Sequence, residues 1–533
     1  MRSLSQILLM IAVDGASCLT LAAQCPSRPN PDTVVQDAPS IYSQNGVLQA
    51  ELGLGHSVDS NGYTHYCYTY KTSTGIVEAP TLRLNPGDRL LLHVKDNINP
   101  SSESISAMDM PMSALTCGDS GKATLNSTNV HFHGLNVPPT CHQDDVLTTL
   151  IQPGGDFQFD IQIPANEPPG LYWYHPHVHG FTEFQVNGGA AGAIVVEGMD
   201  KFRPEVAGLT ERVFTIRQQF LVPWVPGPYE LTFNFQQAGI VQGPAPIINM
   251  RPGEKQFWRV LNATLQDFLP LQVWVNDAPQ PLELIALDGY PVAKPRTQTT
   301  ILVPPAGRAE FIVQAPPAGT NAYFYTLNYA TGPTGNPDTI EPLAKIQLSN
   351  NTILASTSKP ASSPQISMDK LKFSGLLNQA PTAERKLFFS EEFGGTNGPI
   401  QFYITVDGQK QKVFQPNEDP AITTHVGAVE DWTIENRALE THVFHIHQIH
   451  FQVLEIDGRP APTQDLRDTI EIPYWEGNGH PYHSVKVRMD FRDPSTAGTF
   501  VFHCHILLHE DLGMMHKILV KPAFSEAWTP TFH

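Results

Sequence analysis

The 533-residue sequence predicts an all-β chain of three β-sandwich domains, and three observations predict it. A turn, a strand of β-forming residues and a closing Asn recur three times. Pro86-Gly87-Asp88 leads through residues 90–94 to Asn97, Pro252-Gly253-Glu254 through 257–261 to Asn262, and Val426-Gly427 through 432–434 to Asn436. The three glycines stand a domain's length apart, the mark of a repeated unit. Between them lie short alternating runs such as 300–303, 310–313 and 485–489, punctuated by 47 prolines and 39 glycines. Alternation with period two is the strand signature and reads as sandwich rather than α/β. Finally, the chain is too long for one hydrophobic core, while 41% hydrophobic residues describe a globular protein.

In chain order, Met1-Arg2 followed by apolar residues 7–13 and a finish near Leu21-Ala22-Ala23 resembles a secretory signal over 1–23, interrupted by Asp14. A single Arg before the apolar run disfavours the twin-arginine route, and export to a periplasm or the exterior is expected. The first sandwich is placed at 40–199 and the second at 205–349. A Ser/Thr/Pro-rich linker at 350–381 carries Ser356, Ser358, Ser362 and Ser363, and the third sandwich follows at 382–523. Cleavage would remove Cys18, leaving Cys25, Cys67, Cys117 and Cys141 for up to two disulfides, with all three pairings open. Asn126, Asn262 and Asn350 begin glycosylation sequons. A net charge of -19 repels nucleic acid and anionic membrane, so neither is expected as a partner. No apolar stretch reaches the roughly 18–20 residues of a spanning helix.

Function is written in four histidine clusters: His131-Phe132-His133, His175-Pro176-His177, His442-Val443-Phe444-His445-Ile446-His447, and His503-Cys504-His505 with His509 and Met514. Ten imidazoles, one thiolate and one thioether suit copper better than zinc, calcium or magnesium. On a strand, residues two apart share a face and neighbours do not. Each His-x-His pair therefore aims both rings at one place, whereas Cys504 faces away from His503 and His505, and His442 away from His445 and His447. Two centres follow. Cys504, His442 and His509 with axial Met514, preferred over Met515, make a blue-copper electron-transfer set, and the other eight histidines make a second centre. Cys504 is bonded through the backbone to both His503 and His505, a short electron route between the two. His179, two residues after His177, shares the face of His177 if the strand continues and is read as a supporting neighbour. His56, His65, His93, His142, His425, His450, His480, His483, His516 and His533 fit no ligand position.

These four signatures, complete and in order, resemble those of the multicopper oxidases of laccase and cuprous-oxidase type. The resemblance implies three cupredoxin-like Greek-key sandwiches and four copper ions. Type 1 copper would take His442, Cys504, His509 and Met514, and type 2 would take His131 and His445. The type 3 pair would take His133, His175 and His505 on one ion and His177, His447 and His503 on the other. Since the first and third repeats alone carry ligands, the trinuclear cluster belongs where those domains meet, with the second as spacer. Single electrons would pass from a reductant to this cluster, where dioxygen is reduced to water. Glu510 sits where bacterial relatives place a proton-carrying acid; the fungal position is Leu507 here. Asp144 and Asp145 both match the family's acid near type 2 copper. The reductant is expected to be a phenol or aromatic amine, with Cu(I), Fe(II) or Mn(II) as the rival class. Met108, Met110 and Met112 are soft ligands suited to Cu(I), and the loop 474–483 is expected to border the substrate end. A non-enzymatic copper-binding protein is the rival from another class, and a monomer is expected.

Overall fold

The computed structural model describes residues 24–58, 64–100, 117–220, 229–240, 243–349, 367–394 and 400–523. The expected signal segment, the methionines Met108, Met110 and Met112, and residues 350–366 of the expected linker lie outside the described residues. Six larger sheets form in three successive pairs, drawn from residues 40–196, 210–348 and 383–521. The fold is all-β, as the alternation predicts.

The repeated strands occupy one topological position in all three pairs. Arg89–Asp96, Lys255–Ala263 and Ala428–Asn436 each run parallel to an earlier strand, namely Val47–Val58, Thr210–Phe220 and Ala383–Phe393. Each runs antiparallel to a later one, Asp156–Gln162, Arg308–Gln314 and His483–Phe491. The turns entering them need a left-handed residue, which explains Gly87, Gly253 and Gly427 at φ of 88°, 75° and 98°. Asn262 and Asn436 end their strands in the same way: each amide donates to two carbonyls, and each Oδ1 accepts the backbone N–H two residues on. In the first repeat Asp96 takes this part, accepting from Ile98 N at 2.9 Å.

Each pair of sheets closes on its own apolar core. Leu52, Leu92 and Phe159 meet Leu82 and Ile194 in the first, Trp258 and Phe311 meet Leu271 and Phe324 in the second, and Trp432 and Val487 meet Phe444 and Phe502 in the third. The outer face of the first unit, through Leu171, Trp173 and Val195, packs on Val213, Leu261 and Ala306 of the second. Residues 367–381 are packed against the third unit: Leu371 and Phe373 enter its core, and Lys372 donates to Asn136 O at 2.9 Å. Two disulfides, Cys25–Cys67 and Cys117–Cys141, select one of the three open pairings. No helix among the described residues is long and apolar enough to cross a membrane.

One buried side chain joins all three units. Arg308 of the second donates to Leu171 O of the first at 3.2 Å and to Asp468 of the third at 2.7 Å, and its own N–H is held by Asp288 at 2.9 Å. Asp288 also accepts from Thr469 Oγ1 at 3.0 Å and lies 3.2 Å from Arg467. Two carboxylates out of water are tolerated because the Arg308 guanidinium bonds Asp468 and, together with Arg467, stands within ion-pair distance of Asp288. Arg308→Met should therefore destabilise the fold by about 3–5 kcal/mol, read as an earlier denaturation transition. Breaking the half-exposed Arg89–Asp160 pair with Arg89→Ala should cost under about 1 kcal/mol. Equal losses in the two variants would contradict the keystone role.

Candidate metal centre

The eight-histidine cluster is assembled from two sheet edges. In the first unit His131–His133 pairs with Gly170–His175, setting His131 opposite His175 and His133 opposite Trp173. In the third, His442–Ile446 pairs with Gly498–Cys504, setting His445 opposite His503 and Phe444 opposite Cys504. These edges face one another. His131 stacks on His447 with ring centres 3.8 Å apart, and His133 on His445 at 4.0 Å. His177 Nε2 and His447 Nε2 stand 3.4 and 3.2 Å from His503 Nε2. His505 joins with its ring 5.1 Å from His133 and 5.6 Å from His175.

All eight rings are at most 2% exposed, yet several of their inward nitrogens have no hydrogen-bond partner among the described residues. Nε2 of His131, His175 and His445 and both nitrogens of His133 and His505 are buried without a hydrogen bond among the described residues. The opposite nitrogens are pinned: His131 Nδ1 by Asp144 at 2.9 Å, His175 Nδ1 by Pro176 O at 2.8 Å, and His445 Nδ1 by Asp468 O at 2.8 Å. Outer nitrogen held and inner nitrogen bare is the arrangement of metal-binding imidazoles. Burial, followed by neighbouring imidazoles, depresses His131, His133, His445 and His505 well below the usual histidine range, and His175 to about 3. Neutral imidazole is the ligating form. Donor atoms of His177, His447 and His503 lie within 4.8 Å of one another, as do those of His131, His445 and His447 and of His131, His133 and His175. The donor set fits copper, and the cluster has the shape to hold several ions.

The second centre lies on the other face of the same strands. Cys504 Sγ is 3.6 Å from His442 Nδ1 and 3.9 Å from His509 Nδ1, and the two nitrogens are 3.3 Å apart. Burial pushes the free Cys504 thiol up, so a thiolate here needs a cation beside it. Met514 is buried in the same core cluster as Cys504, and its backbone O accepts from Cys504 N at 3.0 Å. Met515 packs instead with Phe414 and Val501.

The acids separate clearly. Glu510 is fully buried, its oxygens 3.4 Å from His177 Nε2 and 3.2 Å from His503 Nδ1; burial raises its carboxyl, but those imidazoles hold it below the usual range. Asp144 spans His131 Nδ1, Phe132 N at 3.0 Å and Gln448 Nε2 at 2.6 Å, and burial pushes it up to about 7. Asp145 turns away and accepts from Leu147 N and Thr148 N, both at 3.1 Å. Four residues here were not anticipated: Gln448, Asp468, Glu391 and Glu440. Asp468 lies 3.4 Å from His133 Nε2. Glu391 lies 3.2 Å from His442 Nε2 and Glu440 3.6 Å from His509 Nε2; burial and then Glu391 push Glu440 up to about 8. Glu391 and Asp468 come from segments distant in sequence, while Glu440 and Gln448 flank the third cluster, and no motif marks any of the four. His179 has both nitrogens buried and without a partner among the described residues, beside Phe414, while His450 Nε2 donates to Asp288 O at 2.7 Å as a structural residue. The loop 474–483 begins against the turn that carries Glu440, with Trp475 N bonded to Ala438 O at 2.8 Å.

Sequence profiles described as multicopper oxidase match residues 122–201, 208–351 and 394–523, together most of the chain. The chain belongs to the multicopper oxidase family. Members are copper-dependent oxidoreductases that use dioxygen. A multicopper oxidase of Staphylococcus haemolyticus is 25% identical over 87% of this oxidase and 90% of its own length. A laccase of Bacillus subtilis is 22% identical over 73% and 79%. Among solved structures, a Campylobacter jejuni multicopper oxidase described as a metallo-oxidase superposes with TM-score 0.66 at 23% identity, covering 93% of this chain and 96% of that one. One from Aquifex aeolicus superposes with TM-score 0.66 at 18% identity over 92% and 99%. At these identities the structural likeness establishes the fold, three cupredoxin-type sandwiches.

The contrast between the neighbouring acids is directly testable. Asp144→Asn should lower turnover about ten- to hundred-fold by releasing His131, while Asp145→Asn should leave turnover near wild type. Steady-state oxygen consumption at full copper loading checks this, and equal losses would contradict the distinction.

Proposed function

We propose that this oxidase takes single electrons from a reductant at the His442–Cys504–His509 centre and reduces dioxygen to water at the eight-histidine centre. The observation that carries this reading is one strand, Gly498–Cys504, presenting Cys504 to one centre and His503 to the other. Four copper ions, when bound, supply the one-electron and dioxygen chemistry. His442, Cys504, His509 and Met514 would hold one. His131 and His445 would hold a second, and His133, His175 and His505 with His177, His447 and His503 the remaining pair. The protein's part is to fix these donors, exclude bulk water and deliver protons. Asp144 orients His131 through Nδ1. Glu510, the acid in contact with His177 and His503, is placed to pass protons inward. The oxidising compartment implied by two disulfides supports an exported protein.

A phenol or aromatic amine remains the default reductant. A second reading, a metal-ion reductant, is favoured by Glu391 and Glu440, which place carboxylate oxygens against the outer nitrogens of both His442 and His509. Oxygen ligands suit Fe(II) or Mn(II) better than Cu(I). The Campylobacter jejuni relative described as a metallo-oxidase supports this class.

One panel tests both. Copper-loaded protein should be blue and consume oxygen, and Cys504→Ser should remove colour and turnover together; retained turnover contradicts the electron route. Glu391→Gln with Glu440→Gln should raise KM for Fe(II) about ten-fold or more while sparing a phenol. Parallel losses on both reductants would count against the metal-ion reading.

A further inference from the structure

We propose that a cavity of about 230 Å³ at the junction of the first and second sandwiches binds a small organic monoanion, a carboxylate carrying a neighbouring hydroxyl donor. Arg28, Glu78, Thr81, Arg217, Asn234 and Phe235 line it, and no candidate copper ligand does.

The first argument is charge. The Arg28 and Arg217 guanidiniums lie 4.1 and 3.9 Å from the centre of the Phe235 ring. Arg28 pairs with Glu78 and donates to Gly188 O at 3.0 Å, whereas Arg217 donates to Ala191 O at 2.7 Å. The other carboxylate lining the cavity, Asp37, is engaged by Arg212 at 2.9 Å and by Val213 N at 3.1 Å. Two guanidiniums are thus left with Glu78 alone, and the wall keeps one uncompensated positive charge. Arg217 is 2% exposed, and leaving such a charge out of water without a partner is costly. Burial accordingly pulls Arg217 down to about 9. One negative charge in the cavity offsets it; a dianion would bring a second charge against Glu78.

The second argument is hydrogen bonding. Arg28 Nε, Arg217 Nε, Glu78 Oε1 and Thr81 Oγ1 are all buried without a partner among the described residues. Two guanidinium donors suit a carboxylate. The Glu78 acceptor suits a hydroxyl on the same molecule, and Thr81 serves either group. The third is backbone strain. Asn234 and Phe235 form the two-residue turn between strands joined at Phe233 and Gln236, with φ of 47° and 66°. Such turns favour Gly at the second position, and a bulky residue there is strained. Strain of this kind gathers at ligand clamps, and here it holds Phe235 against both guanidiniums.

The test uses the full, copper-loaded chain with L-lactate, glycolate, acetate and inorganic phosphate at matched ionic strength, followed by thermal denaturation and calorimetric titration. Lactate or glycolate should raise the midpoint progressively with concentration, acetate less and phosphate least. Arg217→Gln should weaken binding about ten-fold or more with oxygen consumption unchanged. If that variant does not fold, Thr81→Val, which keeps the shape, should still reduce lactate affinity. No midpoint shift beyond a chloride control, a larger shift with phosphate than with lactate, equal shifts in wild type and variants, or a lactate-soaked crystal showing only water in the cavity would each overturn the proposal.

Discussion

Eight imidazoles lie out of water within a few ångströms of one another, and those of His131, His175 and His445 have the outer nitrogen pinned and the inner nitrogen bare. A hydrogen-bonded protein interior does not leave so many polar atoms orphaned in one place. Neutral rings with free lone pairs converging on a common volume call for cations, and every nearby feature serves that demand. Asp144 and two backbone carbonyls fix the orientations of His131, His175 and His445, and burial favours the neutral form of those three rings. The thiol of Cys504, disfavoured as an anion by its surroundings, becomes intelligible only beside a bound metal.

The architecture that holds the cluster is a three-body problem. Ligands come from the first and third sandwiches, so their relative position must be fixed to fractions of an ångström. The second sandwich supplies no ligand but contributes Arg308, which ties Leu171 of the first to Asp468 of the third. Asp468 then touches the cluster itself: its carbonyl holds His445, and its carboxylate, which burial pushes up to about 7, lies beside His133. The spacer domain is therefore coupled to the metal centre through one guanidinium and one aspartate.

Strand parity made much of this legible in advance. The two-residue period of the His-x-His pairs, the opposite parity of Cys504 and the offset of His442 translate directly into two centres on opposite faces. The repeated turn–strand–Asn unit likewise maps onto equivalent central strands, down to the shared bonding of Asn262 and Asn436. What stayed closed depends on contacts between segments far apart in sequence. Asp144 and Asp145 are adjacent on a loop, and only Gln448, arriving from the third sandwich, shows which one faces inward. Asp468, Glu391 and Glu440 carry no motif, since their roles follow from sheet register and domain docking. The cysteine pairing is of the same kind, because an even count cannot express which chain segments meet.

Diffraction at the copper edge from crystals of the fully loaded chain tests the central claim most directly. Four anomalous peaks are predicted, one among His442, Cys504 and His509 and three within the eight-histidine cluster. Fewer than three peaks inside that cluster at full loading, or copper bound elsewhere while those imidazoles stay bare, would contradict it.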